Sequence, residues 1–78
     1  MRKKKLTVII TFVSTTQAMA MESRGRKTGF EGRIIPVPRE ISASCGLAWK
    51  CSGQNQDTVE KYLSEEDLEY EGIDQILI

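Results

Sequence analysis

Histidine is absent from this 78-residue sequence. Because imidazole is the commonest general base and a frequent metal ligand, its absence excludes Cys–His and Ser–His catalytic pairs and imidazole metal sites. The sequence also carries no intact phosphate-loop motif and no other cofactor fingerprint. We therefore expect a protein without a metal or a cofactor, and without the machinery of a conventional hydrolase.

Cysteine is scarce, with Cys45 and Cys51 the two examples in the chain. Five residues separate them, which is neither the CxxC spacing of a redox pair nor that of a zinc knuckle. A disulfide between them would close only one short loop and is not expected to be structural. Reduced thiols are the simpler interpretation, and they favour a cytoplasmic protein because structural disulfides belong to oxidising compartments.

The sequence has no apolar run long enough to cross a membrane. Its most apolar run, Leu6–Val13, is about half as long as a bilayer requires. The chain nevertheless begins like a secretory signal, with basic residues 2–5 and an Ala-x-Ala motif at residues 18–20 that has the form of a cleavage site. Ser14 and Gln17, however, have the spacing of a capping box, which predicts a helix running through that cleavage site. The expectation remains a cytoplasmic protein without membrane contact.

Net charge is also lacking, because eleven basic residues balance eleven acidic ones. The two signs are segregated: residues 1–39 carry a net charge of +7 and residues 40–78 carry −7. We expect the two halves to interleave in the fold and largely cancel, so nucleic-acid binding is not predicted. The length allows one domain, residues 1–78, with a small core and a basic start at residues 1–5.

Hydrophobic spacing and turn residues divide the chain into six elements. β-Branched residues and alternation favour strands, while capping residues followed by apolar residues at helical spacing favour helices. The predicted elements are a strand at Leu6–Val13, a helix from the Ser14 cap to about Lys27 with Gly29 left-handed, strands at Gly32–Val37 and Leu47–Ser52, a helix beginning at Asp57, and a strand within Tyr70–Ile78. This order predicts an α+β, ferredoxin-like split β-α-β-β-α-β fold with a four-stranded, mainly antiparallel sheet and two helices on one face.

Two details of the strands bear on the cysteines. Pro36 lacks an amide donor, so the second strand should lie at a sheet edge or end there. In the third strand Leu47, Trp49 and Cys51 alternate onto one face, which makes Cys51 a core residue. The alternative is that Cys51 resolves a disulfide with Cys45, which requires their α-carbons to approach to about 6 Å.

The loop from Pro36 to Gly46 carries the chemistry that the sequence offers. Thiolate is the reactive form of cysteine, and nearby cations or hydrogen-bond donors stabilise it. The candidate site is the thiol of Cys45 with binding residues Arg39, Ser42, Ser44, Gly46 and Arg33. The open alternative is an inert, half-buried cysteine beside serines that satisfy turn amides.

Three runs of this sequence resemble one small family of bacterial proteins. They are Thr11–Glu22, Gly32–Arg39 and Ile41–Ala48, which contain a Pro-x-Pro-Arg and a Ser-x-Ser-Cys-Gly pattern, and Tyr70–Ile73 near the end adds to the likeness. The sequence is similar here to the selenium/sulfur carrier-like family, almost throughout from Leu6. The resemblance implies a thiol that holds sulfur or selenium, with Cys45 as the carrier atom.

Two functional hypotheses follow. In the first, Cys45 accepts sulfur or selenium as a persulfide or selenosulfide from a cysteine desulfurase-like donor and passes it to an acceptor protein. Such a chain is a carrier rather than a turnover enzyme. In the second, the chain is a non-enzymatic module that binds a small anionic ligand through Arg33 and Arg39, or a protein partner such as a second copy of itself. Cys45 is then incidental.

Overall fold

Four strands and two helices follow one another in the residues that the structure describes, which are 6–41, 45–51 and 55–77. In this computed structural model the elements are β1 (Leu6–Thr11), α1 (Thr15–Thr28), β2 (Arg33–Pro36), β3 (Leu47–Cys51), α2 (Gln56–Glu65) and β4 (Gly72–Leu77). The predicted α+β class and element order are confirmed. β1 and β2 are each shorter than their sequence patterns suggested, while the predicted end of the third strand, Ser52, lies outside the described residues.

The strands form one antiparallel sheet in the order β2-β3-β1-β4. β3 lies between β1 and β2, which therefore run parallel without touching, and this is the split arrangement of a ferredoxin-like fold. β2 occupies an edge, as Pro36 predicted, and β4 occupies the other edge beside β1. Central β1 carries no polar side chain except threonine, which suits a strand buried on both faces.

The core lies between the sheet and the two helices. Register places Ile10 beside Trp49 on one side and Ile73 on the other, so these side chains share the face that the helices cover. The buried cluster on this face comprises Val8, Ile10, Phe12, Ala18, Met21, Trp49, Cys51, Val59 and Leu63. The alternating positions of β1 point to the opposite face, and Ile9 there is also fully buried.

α1 has the ends that its sequence predicts. The Ser14 hydroxyl accepts a hydrogen bond from the Gln17 N–H at 3.4 Å, and the Gln17 side chain accepts one from the Val13 N–H at 2.9 Å. The helix stops at Gly29, whose φ of 74° is left-handed and whose N–H returns to the Gly25 carbonyl. α1 therefore runs without interruption through residues 18–20.

α2 begins earlier than its sequence suggested. The Asn55 side chain accepts a hydrogen bond from the Thr58 N–H at 2.8 Å, which makes Asn55 the N-cap and places Asp57 in the first turn. The sequence-based start at Asp57 was wrong because asparagine and aspartate are equally good caps. The extended backbone of Asn55, with φ −87° and ψ 168°, settles which of the two is used.

Trp49 of β3 packs against two glycines, Gly25 in α1 and Gly32 just before β2. A β-carbon on Gly25 would lie 2.9 Å from the indole ring, and one on Gly32 would overlap the ring and the Lys50 carbonyl. The indole N–H donates to the Glu31 carbonyl at 3.2 Å. The ring fills the space that both glycines leave, and Trp49 is 3% exposed.

Neither helix of the described chain is long and apolar enough to cross a membrane.

Candidate functional site

The connection between β2 and β3 is closed at its base by backbone pairing. Pro36 pairs with Leu47, and the Val37 N–H donates to the Gly46 carbonyl at 3.1 Å. Farther out, the Ile41 N–H donates to the Pro38 carbonyl at 3.0 Å, which forms a tight turn. The backbone beside Cys45 is thus anchored to the sheet on both sides of the loop.

Cys45 lies at this anchored base, one residue before Gly46. Its thiol is free and half-buried, and it packs against the edge of the hydrophobic core. The Leu47 N–H donates to the Cys45 sulfur at 3.4 Å, and the thiol contacts the Leu47 carbonyl at 3.5 Å. The sulfur is therefore held by the backbone two residues ahead, in a residue that is half-buried.

Gly46 makes this contact possible. Its φ of 77° is left-handed, a conformation that side-chain-bearing residues rarely adopt. The turn at Gly46 reverses the chain over one residue, so that the Leu47 N–H reaches back to the sulfur of Cys45. Nothing lies within 4 Å of the position that a β-carbon would occupy on Gly46. Glycine is required here for its backbone conformation, since the surrounding space is empty.

Cys45 is located at the end of the sheet where β1 ends and β4 begins. Thr11 pairs with Ala48 on one side and with Gly72 on the other, and the Glu71 N–H donates to the Thr11 carbonyl at 2.6 Å. α1 also starts at this end, immediately after exposed Val13. Cys45 therefore lies at an end of the sheet where several connections between elements meet.

Cys51 lies at the opposite end of β3 and is fully buried beside Val8. Its predicted place in the core is confirmed. Leu47 and Cys51 are four residues apart in an extended strand, which separates them by about 13 Å. Cys45 lies on the far side of Leu47 from Cys51. The two cysteines are therefore too far apart for a disulfide, which needs α-carbons within about 7 Å. A resolving role for Cys51 is therefore incompatible with this strand.

The two predicted arginines are not brought together. Arg33 is exposed at the start of β2, where it pairs with Lys50, while the loop containing Arg39 follows the other end of that strand. Three residues of extended chain, about 10 Å, separate Arg33 from the Pro36–Leu47 pair near Cys45. Arg39 is exposed within the Pro38–Ile41 turn. Ser42 and Ser44 lie outside the described residues.

A second concave feature, which sequence reasoning missed, lies at the end of the sheet away from Cys45. It is a cleft of about 230 Å³ lined by Glu22, Gly25, Arg26, Phe30, Gly32, Arg33 and Trp49. The Arg26 guanidinium lies 3.7 Å from the Glu22 carboxylate on the same helix. Gly25 and Gly32, which line this cleft together with Trp49, are the sequence signal that could have pointed to it. Arg33 therefore lines this cleft and does not lie beside Cys45.

The comparison with protein families agrees with the likeness seen in the sequence. Residues 7–74 match the family described as "Putative Se/S carrier protein-like". The chain belongs to this family. No curated protein and no solved structure matches the chain.

Membership in the Se/S carrier protein-like family covers every element of the fold. The matched region runs from β1 into β4, and it includes both cysteines and the β2–β3 loop. The name of the family concerns sulfur or selenium and does not specify a residue. The choice between the two thiols therefore depends on geometry, and geometry separates a half-buried Cys45 from a fully buried Cys51.

Proposed function

We propose that this protein carries sulfur or selenium on Cys45, as a persulfide or selenosulfide, between a donor and an acceptor protein. The observation that carries the proposal is Cys45 itself, a half-buried free cysteine whose sulfur receives the Leu47 N–H at 3.4 Å. Membership in a family named for sulfur and selenium supports it. Cys45 thereby fits the chemistry that the family name describes.

Loading is a thiol–disulfide exchange at sulfane sulfur. The Cys45 thiolate attacks the outer sulfur of a donor cysteine persulfide, a new S–S bond forms at Cys45, and the donor S–S bond breaks. The electron pair of the broken bond leaves on the donor cysteine, which becomes a thiolate. Selenium transfer follows the same course with a selenosulfide on the donor. No electrons are gained or lost overall, so neither an oxidant nor a redox cofactor takes part.

The backbone donor at Leu47 suits both halves of this cycle. The Leu47 N–H donates to the sulfur that attacks the donor, and the Leu47 carbonyl accepts from the same atom while it carries a proton. The same sulfur is the leaving group when the acceptor removes the carried atom. One N–H therefore contacts the reacting sulfur in loading and unloading alike.

Thiolate exchange also accounts for the absence of histidine. The attacking species is the thiolate itself, so no general base is needed once the thiol has ionised. Arg39, on the exposed turn of the same loop, would add a permanent cation near the entering persulfide. The donor would be a cysteine desulfurase-like protein, and the acceptor would be a second protein. A carrier of this kind holds the reactive sulfur while it passes from the one to the other.

Intact-mass spectrometry of the reduced protein tests this proposal. Wild type, Cys45→Ala and Cys51→Ala are incubated with a cysteine desulfurase and either cysteine or selenocysteine. We expect wild type and Cys51→Ala to gain one sulfur or selenium atom, and Cys45→Ala to gain none. Treatment with a reducing thiol should then remove the gained mass, because the carried atom is held by an exchangeable bond.

Two results would count against the carrier function. Equal loading of Cys45→Ala and wild type would place the acquired atom elsewhere in the chain. Absence of loading in all three proteins, while the desulfurase converts its substrate, would leave Cys45 as a packing residue. Thermal unfolding of each variant provides the control that the proteins are folded during the incubation.

A further inference from the structure

We propose that two copies of this chain pair through β4, antiparallel and in one register, to form a continuous eight-stranded sheet. The proposal does not depend on the carrier function. β4 is an edge strand, so one side of its backbone has no strand partner within the described residues. An edge with free N–H and C=O groups is a template for another strand.

The two edges of the sheet are protected very differently. Edge strands are commonly blocked by proline, by short length or by outward charges. β2 has the first two features, proline and short length, since it contains Pro36 and spans four residues, and its one charge is exposed Arg33. β4 spans six residues, contains neither proline nor lysine, and has Asp74 as its one charge. Pairing is therefore expected at β4 and not at β2.

Exposed apolar side chains collect at the same edge. Leu77 is 58% exposed and Leu6 is 56% exposed, the two highest values among the large hydrophobic residues that the structure describes. These two leucines are direct cross-strand partners in β1 and β4. Two adjacent leucines left in water form an apolar patch that a neighbouring strand would cover.

Self-complementarity identifies the partner as a second copy and fixes the register. A two-fold axis perpendicular to the sheet pairs only residues on the same face, so the axis must lie between one residue of β4 and the same residue of the second copy. An axis at Asp74 sets two carboxylates opposite each other, which is unfavourable. An axis at Gln75 avoids this contact, pairs five positions of β4, and sets Leu77 opposite Ile73 of the second copy.

The Gln75-centred register also explains the apolar patch. Ile73 and Leu77 share the helix-covered face of the sheet, so Ile73 of the second copy would complete a row with Leu77 and Leu6. Asp74 would face Ile76, and the two Gln75 side chains would meet at the axis. Cys45 lies beyond β1 from this edge, so neither Cys45 of the dimer would lie at the interface.

Sedimentation equilibrium of the full chain tests dimer formation. We expect wild type to approach twice its 8.8 kDa mass as concentration rises. Gln75→Lys sets two lysines opposite each other at the axis and should remain monomeric at the same concentrations. Ser23→Lys, an equal change of charge on an exposed position of α1, should still form dimers. A monomeric wild type, or a Gln75→Lys variant that still forms dimers, would overturn the proposal.

Disulfide trapping in the Cys45→Ala background tests the register. Cysteines at the axis lie about 4.5–5.5 Å apart between α-carbons, within disulfide range. Gln75→Cys should therefore give a covalent dimer under mild oxidation at least several times faster than Asp74→Cys, whose two thiols lie off the axis. Faster trapping at position 74, or equal rates at both, would contradict the proposed register.

Discussion

At the scale of single residues, Gly46 controls the position of the Cys45 sulfur. Its left-handed backbone turns the Leu47 N–H back toward the thiol. Among the glycines of the described chain, Gly29 is a close match, with φ of 74° against 77° and likewise nothing within 4 Å of the position that a β-carbon would take. Gly29, however, lies at the end of α1, outside the Cys45 loop. Comparing alanine substitutions at Gly46 and Gly29 therefore distinguishes the effect of backbone strain from an effect on the Cys45 thiol.

Gly46→Ala should slow sulfur exchange at Cys45. Alanine disfavours the left-handed turn by about 1 kcal/mol and weakens the Leu47 N–H contact with sulfur, itself worth about 1 kcal/mol. We expect roughly fivefold slower loading by a cysteine desulfurase, the change that about 1 kcal/mol produces. Gly29→Ala should lose similar stability and load at the wild-type rate. Equal loading of the two variants would show that the turn does not affect the thiol.

Residue types alone identified Cys45 as the reactive candidate, because it lies in a polar loop with an adjacent glycine. They could not identify the Leu47 N–H, which becomes a donor to sulfur only through the conformation of Gly46. They also grouped Arg33 with the site, although the length of β2 carries it to the other end of the sheet. Proximity across a strand depends on direction and register, which composition does not encode.

At the scale of elements, local signals predicted the order of strands and helices. Alternation, β-branching and caps act within a few residues, so they were sufficient for β1, α1 and β3. Strand ends were less accurate because pairing partners decide them: Thr11 ends β1 where its neighbours Ala48 and Gly72 lie near the ends of their own strands. The α2 start was misplaced because Asn55 and Asp57 are both competent caps.

The identity of the α2 cap predicts how two neighbouring substitutions differ. Asn55→Ala removes the side chain that accepts the Thr58 N–H and should lower the free energy of unfolding by about 1 kcal/mol. Asp57→Ala should change it by less than about 0.5 kcal/mol, because better helix propensity offsets a weaker interaction with the helix dipole. Urea unfolding followed by circular dichroism measures both. The opposite order would restore Asp57 as the cap.

The contact between Trp49 and Gly32 predicts a larger effect. A β-carbon at Gly32 meets the indole ring and the Lys50 backbone, and the φ of 129° is unsuited to alanine. Gly32→Ala should lower the free energy of unfolding by about 3 kcal/mol. Gly29→Ala, which meets only backbone strain, should lose about 1 kcal/mol. Fluorescence of Trp49, the sole tryptophan, reports both transitions. Similar losses would show that the crowding at Gly32 is relieved at little cost.

At the scale of the whole molecule, the topology mixes the basic and acidic halves of the chain. β2 of the basic half lies beside β3 of the acidic half, and β1 lies beside β4. Arg24 and Glu66, one from each half, approach to 3.5 Å. Strands from the two halves are therefore neighbours in the sheet, as the expected interleaving of the halves requires. The absence of a nucleic-acid partner stays a prediction.

The same topology sorts the two cysteines into different environments. β3 begins where the β2–β3 loop returns and ends inside the core, so Cys45 just before it is half-buried and Cys51 at its end is fully buried. Cys51 belongs to the core cluster together with Val8, whereas Cys45 only packs against the edge of that cluster. We therefore expect the folded chain to offer one thiol, that of Cys45, for exchange at sulfur.

Reaction of the folded protein with an aromatic disulfide that releases a coloured thiolate tests this claim most directly. We expect one thiolate to be released per chain under native conditions and two after unfolding in denaturant, in agreement with the two cysteines of the sequence. Cys45→Ser should abolish the native release, and Cys51→Ala should retain it. Native release that survives in Cys45→Ser, or a wild type that reacts only after unfolding, would contradict the account.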